Sequence, residues 1–336
     1  MKDSLVYIIC GLCILTSCSQ PKKNYSISMD AQSLGKSTII LTKGGGNYLY
    51  DLQITDSYLV ILDNKSDTVM QAYTLNNILQ TKIFCLRTGE NNRLLAPQFV
   101  RSDYRSLNKA NQISIVDNNI YLKQITLTAK GINLRTRLLD KGLVNSKDYN
   151  ITTKEIYAVP ISGHQKYSYF FYNIDSGYYW VNPSPIISEV LPHVPIAFSS
   201  NLCVNEQKRS IVTAFRFTNY VSFYDLEGNI QSTCHFGENQ TITPLCMGEK
   251  LDIENSTKCF TSIYCTPKYV YCLYDGTTDF TAQSRILVFN WNGKHVKTWL
   301  ADRNLRRIAI DKNNKTLYGI SANPIAGQDV VKYLLK

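Results

Sequence analysis

The chain has 336 residues, a formal net charge of +10 and only four histidines. Its length supports a large core, and its mixture of aliphatic, aromatic and polar residues excludes an intrinsically disordered chain. The basic residues are scattered, with no block of five or six, which argues against a nucleic-acid-binding protein.

Lys2 gives the N-terminus a short positive start, and Leu5 to Leu15 is almost wholly apolar. That run is shorter than the roughly 20 residues needed to span a bilayer. It fits the core of a signal peptide covering residues 1–17. Leu15-Thr16-Ser17-Cys18 closes it with an aliphatic residue, two small residues and a cysteine. This pattern resembles a lipobox, which implies cleavage before Cys18 and a diacylglyceryl anchor on its thiol. Residues 18–36 are polar, contain Pro21, and are expected to form a linker. Ser19 is not the aspartate that resembles an inner-membrane retention signal. The expected location is therefore the outer membrane, and the absence of an acidic cluster after Cys18 favours the periplasmic side.

From residue 37 onward the chain repeats one unit. A β-branched or aromatic run ends in a turn rich in Asp, Asn and Gly, and a second run follows. Tyr58–Leu62 leads into Asp63-Asn64, Ile113–Val116 into Asp117-Asn118, and Tyr167–Tyr172 into Asn173-Ile174-Asp175. Tyr220–Tyr224 leads into Asp225-Leu226-Glu227-Gly228-Asn229, and Ile286–Phe289 into Asn290-Trp291-Asn292-Gly293. The turn positions Asp63, Asp117, Asp175, Asp225 and Asn290 are 54, 58, 50 and 65 residues apart. A period near 50 with several strands per unit predicts a β-propeller. The C-terminus offers three strands without a fourth, near Arg307–Asp311, Thr316–Ile320 and Val330–Leu335. Ser37–Leu41 is a strand without a blade. Pairing the two predicts an all-β, six-bladed propeller over residues 37–336 whose last blade is closed by an N-terminal strand.

Gly89-Glu90-Asn91 and Gly237-Glu238-Asn239 each follow an expected outer strand. The lipobox, these two echoes and the Asp-x-x-Gly-Asn hairpin ending are similar to the six-bladed, TolB-like propeller lipoproteins of Gram-negative bacteria. Arg87 to Phe99 keeps a Gly, a Glu, a Pro and a Phe of a loop motif seen in related propellers, in a different order. The resemblance implies a binding or scaffolding role and supplies no catalytic residues.

No motif assigns an enzyme activity, a cofactor or a metal. His164, His193, His235 and His295 are isolated, and HExxH, Gly-x-Ser-x-Gly and P-loop patterns are absent from the sequence. A metal-dependent hydrolase of the propeller lactonase type is the alternative, since its scattered ligands leave no linear motif. Seven cysteines remain beyond Cys18, and those in strands are expected to pack as small hydrophobes, with a disulfide within the Cys246–Cys272 group left open. The aromatic run Tyr167–Tyr172 with Tyr178-Tyr179-Trp180 is expected to fill space between blades, or else to form a sugar-stacking platform. Loops after outer strands should converge on one mouth of the ring, where propellers bind. Arg87, Arg101, Arg105, His193, His235 and Arg306 are the candidate binding residues there. The expected partners are the membrane, through Cys18, and a protein or anionic glycan.

Overall fold

The computed structural model describes residues 23–45, 48–86, 93–103, 110–139, 143, 146–161, 167–183, 199–237, 241–248, 250–323 and 327–336. The signal segment, Cys18 and the Gly89-Glu90-Asn91 motif lie outside these residues.

Six four-stranded antiparallel units surround a central channel, the second and third joined into one eight-stranded sheet by parallel pairing of their first strands, with Tyr149 opposite Val100. Blade 1 is Leu49–Ile54, Tyr58–Asp63, Thr68–Thr74 and Asn77–Leu86. Blade 2 is Pro97–Asp103, Gln112–Asp117, Tyr121–Thr128 and Gly131–Leu138. Blade 3 is Ser146–Ile151, Glu155–Pro160, Tyr167–Asn173 and Tyr179–Pro183. Blade 4 is Ser200–Asn205, Ser210–Phe215, Tyr220–Asp225 and Ile230–Phe236. Blade 5 is Lys258–Cys265, Tyr269–Thr277, Arg285–Asn290 and His295–Leu300. Blade 6 is Leu305–Ile310, Thr316–Asn323 and Gly327–Leu334, completed by Thr38–Lys43 from the N-terminal side. The first strand of each blade touches the first strands of both neighbours, so these six line the channel.

The ring closes as the orphan strand predicts. Thr38–Lys43 runs antiparallel to Gly327–Leu334, with Lys43 opposite Gln328 and Thr38 opposite Lys332. Side chains reinforce the latch: Thr42 Oγ1 donates to Asp329 Oδ1 at 2.8 Å, and Arg303 Nη1 to Asp329 Oδ2 at 3.0 Å. Without this strand the last blade would present an open, apolar edge. Hydrophobic clusters fill the space between neighbouring blades. One joins Val60, Leu62, Phe99 and Ile115 of blades 1 and 2; another joins Tyr157, Tyr169, Leu202 and Tyr224 of blades 3 and 4.

The repeated turns have a common cause but not a common place. An Asx side chain at the end of a strand accepts hydrogen bonds from the backbone of the turn after it. Asn290 Oδ1 takes the amides of Asn292 and Lys294, and Asp225 Oδ1 takes that of Asn229. These turns join third and fourth strands. Asp63 and Asp117 instead end second strands, at the opposite end of the blade. There Asp63 takes the amide of Tyr48, and Asp117 those of Leu95 and Ala96, each just before a first strand. Both carboxylates are fully buried. They tie the second-to-third turns to the loops of the channel mouth.

In the segment expected to be a linker, Lys23–Ile27 pairs in parallel with the outer strand of blade 4, and Gln32-Ser33 with that of blade 5. This strap crosses two blade edges before the chain enters blade 6. Tyr25 anchors it by donating to the carbonyl of Gly293. The cysteines at 203, 234, 246, 259, 265 and 272 are free thiols. Cys203, Cys234, Cys259 and Cys272 are buried, and burial pushes the Cys234 thiol up to about 12. The aromatic run divides. Tyr169, Phe170 and Tyr172 are buried, whereas Tyr178 and Trp180 stand exposed on the edge of blade 3, with Trp180 stacked on Phe171 at 6.4 Å.

Candidate functional site

Each first strand runs away from the face where outer strands hand over to the next blade. At that face the channel opens into two adjoining cavities that share Tyr50 and Arg307. One, of about 630 Å³, is lined by Tyr48, Arg216, Thr261, Phe280, Arg306 and Arg307 among others. The smaller one, of about 330 Å³, is lined by Asp51, Arg101, Lys147, Asp148 and Arg307 among others. A third, of about 210 Å³, opens at the far end of the channel and also touches Arg101. Arg101 therefore stands between the two ends.

The polar groups arrive from the first strands. Asp51 comes from blade 1, Arg101 from blade 2, Lys147 and Asp148 from blade 3, and Arg307 from blade 6. Arg216 follows the second strand of blade 4. Consecutive residues of a regular strand point to opposite faces, yet Lys147 and Asp148 line the same cavity. A bulge accounts for this: pairing with the second strand of the blade slips between Lys147 and Asn150, and Asp148 has a φ of 52°. Asn150 then fixes the strand by donating to the carbonyl of Leu202 at 3.1 Å and accepting the amide of Val204 at 3.2 Å.

Arg101 is 8 % exposed, and its Nη2 lies 2.9 Å from Asp51 Oδ1. Its Nε is 3.7 Å from Asp148 Oδ1, an ion pair too long for a hydrogen bond. Nε and Nη1 of Arg101, Oδ2 of Asp148 and Nε of Arg307 are buried without hydrogen-bond partners among the described residues. Buried polar groups are ordinarily satisfied, so a cluster of orphans marks a place for a polar occupant. Burial raises the carboxyl of Asp51 above its ordinary range, against the pull of Arg101 and Arg307. Burial would lower Arg101, but Asp51 and Asp148 outweigh it and keep the guanidinium charged. Burial, then Arg216, hold the Lys147 amine well below the ordinary lysine range, with Asp148 opposing. Arg307 Nη1 is fixed by the carbonyls of Thr261 at 2.7 Å and Arg306 at 3.1 Å.

Of the residues singled out from the sequence, Arg87, Arg105 and His193 lie outside the described residues. Arg101 is on a channel strand rather than in a loop. Arg306 lines the mouth, its guanidinium 4.2 Å above the Phe280 ring. His235 lies on the outer strand of blade 4, opposite Ser26 of the strap and 5.7 Å from the Tyr220 ring, so it is not brought to the channel. Asp51, Lys147, Asp148 and Arg216 were not singled out. The signal for three of them is a charged residue inside the first strand of a blade.

A TolB-like, six-blade propeller-like family model matches residues 28–313. The chain belongs to that family. The structure is similar to that of a DUF4221-family member from Bacteroides vulgatus, with 13% identity, a TM-score of 0.57, and coverage of 90% of this chain and 98% of that one. It is also similar to the WD40 repeats of RRP9, with 9% identity, a TM-score of 0.52, and coverage of 91% and 99%. At these identities the likeness concerns the propeller fold alone. Among curated proteins none matches the chain in sequence.

Proposed function

We propose that this TolB-like propeller is a lipid-anchored protein of the bacterial cell envelope that binds the anionic part of a protein or glycan at its channel mouth. One observation carries the reading. The mouth cavity presents Arg216, Arg306 and Arg307, and no Asp or Glu is among its described lining residues. Asp275 is within electrostatic reach of Arg306, but its carboxylate is taken up by Asn304 at 2.6 Å and by the amide of Thr277 at 2.9 Å. Arginine recognises carboxylate, sulfate and phosphate through paired hydrogen bonds.

The strap supports a tethered geometry. Lys23–Ile27 runs parallel to an outer strand that ends at the mouth face, so its Lys23 end lies toward the opposite face. A tether on Cys18 then leaves the mouth pointing away from the membrane. The hydrolase alternative needs an acidic cluster at the channel. The carboxylates described along the channel are Asp51 and Asp148, which face Arg101, and Asp56 at its far end, which pairs with Lys312.

Two measurements test the proposal. The mature wild-type chain should carry acyl mass on Cys18 and partition with membranes, and Cys18→Ala should abolish both. Purified protein should be retained on a sulfated glycan matrix and not on its desulfated form, with Arg216→Ala/Arg306→Ala lowering retention. Equal retention on both matrices would overturn the binding half, and an unacylated mature protein the anchoring half.

A further inference from the structure

Four cationic groups meet at the inner end of the mouth: Arg101, Lys147, Arg216 and Arg307. The two carboxylates there, Asp51 and Asp148, both pair with Arg101. That leaves three cations along the two adjoining cavities, Lys147 lining the smaller, Arg216 the larger and Arg307 both, with Asp148, already shared with Arg101, as the carboxylate acting on Lys147 and Arg216. The side chains of Lys147 and Arg216 make no hydrogen bond or ion pair among the described residues; the Arg216 guanidinium lies 5.6 Å from the Phe217 ring. Arg307 is held by backbone carbonyls and keeps a buried Nε unpartnered. Arg216, Arg307 and Arg101 all act on Lys147 electrostatically, so the three open cations form one field.

Resting on the proposed function, we propose that Lys147, Arg216 and Arg307 form a subsite for one tetrahedral oxyanion, a sulfate or phosphate group, seated between the two mouth cavities. The donors come from blades 3, 4 and 6 and so reach the channel from three directions. A tetrahedral group offers an oxygen to each of them, whereas a carboxylate offers two oxygens in one plane. The smaller cavity, of about 330 Å³, accommodates such a group beside Lys147 and Arg307. Arg101, fixed between Asp51 and Asp148, forms the floor.

The subsite has a built-in coupling to protons. The groups facing Lys147 are Arg216, Asp148, Arg307 and Arg101, three cations against one carboxylate. Their balance, with burial, disfavours the ammonium form in the empty site. An oxyanion reverses the balance and favours it. Binding therefore draws a proton onto Lys147 and weakens as pH rises.

The test is calorimetric titration of detergent-solubilised mature protein with sodium sulfate at one pH, in two buffers of different ionisation enthalpy. Sulfate does not itself titrate near neutral pH, so proton uptake reports the protein. Saturable binding with uptake of up to one proton per sulfate is expected. Lys147→Met should weaken binding tenfold or more and remove the uptake. Lys147→Arg should bind sulfate without uptake. A sulfated disaccharide run in parallel separates the two sources: tighter binding than sulfate assigns the oxyanion to a glycan end group, and weaker binding assigns it to a free ion. Wild-type protein that binds no sulfate, or Lys147→Met protein that keeps its native circular dichroism and binds sulfate equally well, would overturn the subsite. Retention on the sulfated matrix, lost in Arg216→Ala/Arg306→Ala, would then still stand for the mouth as a whole.

Discussion

Replacing Asp329 by alanine tests how the ring is closed. Asp329 is 1 % exposed and accepts from Thr42 of the closing strand and Arg303 of the loop before blade 6. Arg303 Nε in turn donates to Ser37 Oγ at 3.0 Å, and the Ser37 amide donates to Asp302 Oδ2 at 3.0 Å. Truncation strands a hydroxyl and a guanidinium. A hydrogen bond to a charged group contributes about 1.5–3 kcal/mol, and a neutral one about 1 kcal/mol. The Arg303 side chain is 31 % exposed, so water recovers part of its share. The net expectation for Asp329→Ala is a loss of about 2–3 kcal/mol, and for Thr42→Ala about 1 kcal/mol. Urea unfolding followed by tryptophan fluorescence measures both, since Trp291 and Trp299 are each 5 % exposed and should report loss of the core. An Asp329→Ala protein within about 0.5 kcal/mol of wild type, the usual range of a neutral surface change, would refute the latch.

Arg101→Met should cost about 3–5 kcal/mol, because it leaves Asp51 and Asp148 buried without their cation. Adding Asp51→Asn and Asp148→Asn should recover much of that loss, and urea midpoints of the three proteins decide it. Lys147 should make stability rise with pH. Its folded amine binds protons less readily than the unfolded one, so the unfolded state holds the extra proton between the depressed value and about 10.5. Lys147→Met should therefore raise stability at pH 7 and flatten its rise towards pH 9; a parallel pH dependence in the two proteins would contradict the assignment.

The architecture was legible where one element lacked a partner. Three C-terminal strands and one orphan strand at Ser37–Leu41 have a single economical pairing, and the structure adopts it. The Asx turns were legible because their chemistry is local. Their phase was not: Asp63 and Asp225 look alike in sequence, yet one ends a second strand and the other a third. Only the neighbouring loop, which donates the Tyr48 amide to Asp63, tells them apart. The strap is not legible in the sequence, because parallel pairing along a blade edge leaves no alternating pattern in Lys23–Ile27. At the site, Arg306 and Arg101 are legible as arginines, but the partners of Arg101 lie about 50 residues away on either side, on other blades. Ring closure brings them together. The bulge at Asp148, which turns two adjacent side chains into one cavity, depends on a backbone angle that Asp tolerates without signalling.

The central claim is that the arginine-lined mouth selects anionic partners. The most direct measurement is the affinity of the mature chain for a fluorescent sulfated oligosaccharide by anisotropy, from low salt to 0.3 M, for wild type and Arg306→Glu/Arg307→Glu. Exposed charges are screened within about 10 Å at 0.1 M salt, so wild-type affinity should fall steadily as salt rises. The charge reversal should cost at least about 1.4 kcal/mol, which is tenfold, at low salt and should abolish most of the salt dependence. A folded reversal variant that binds with wild-type affinity, or a desulfated oligosaccharide that binds equally well, would contradict the account.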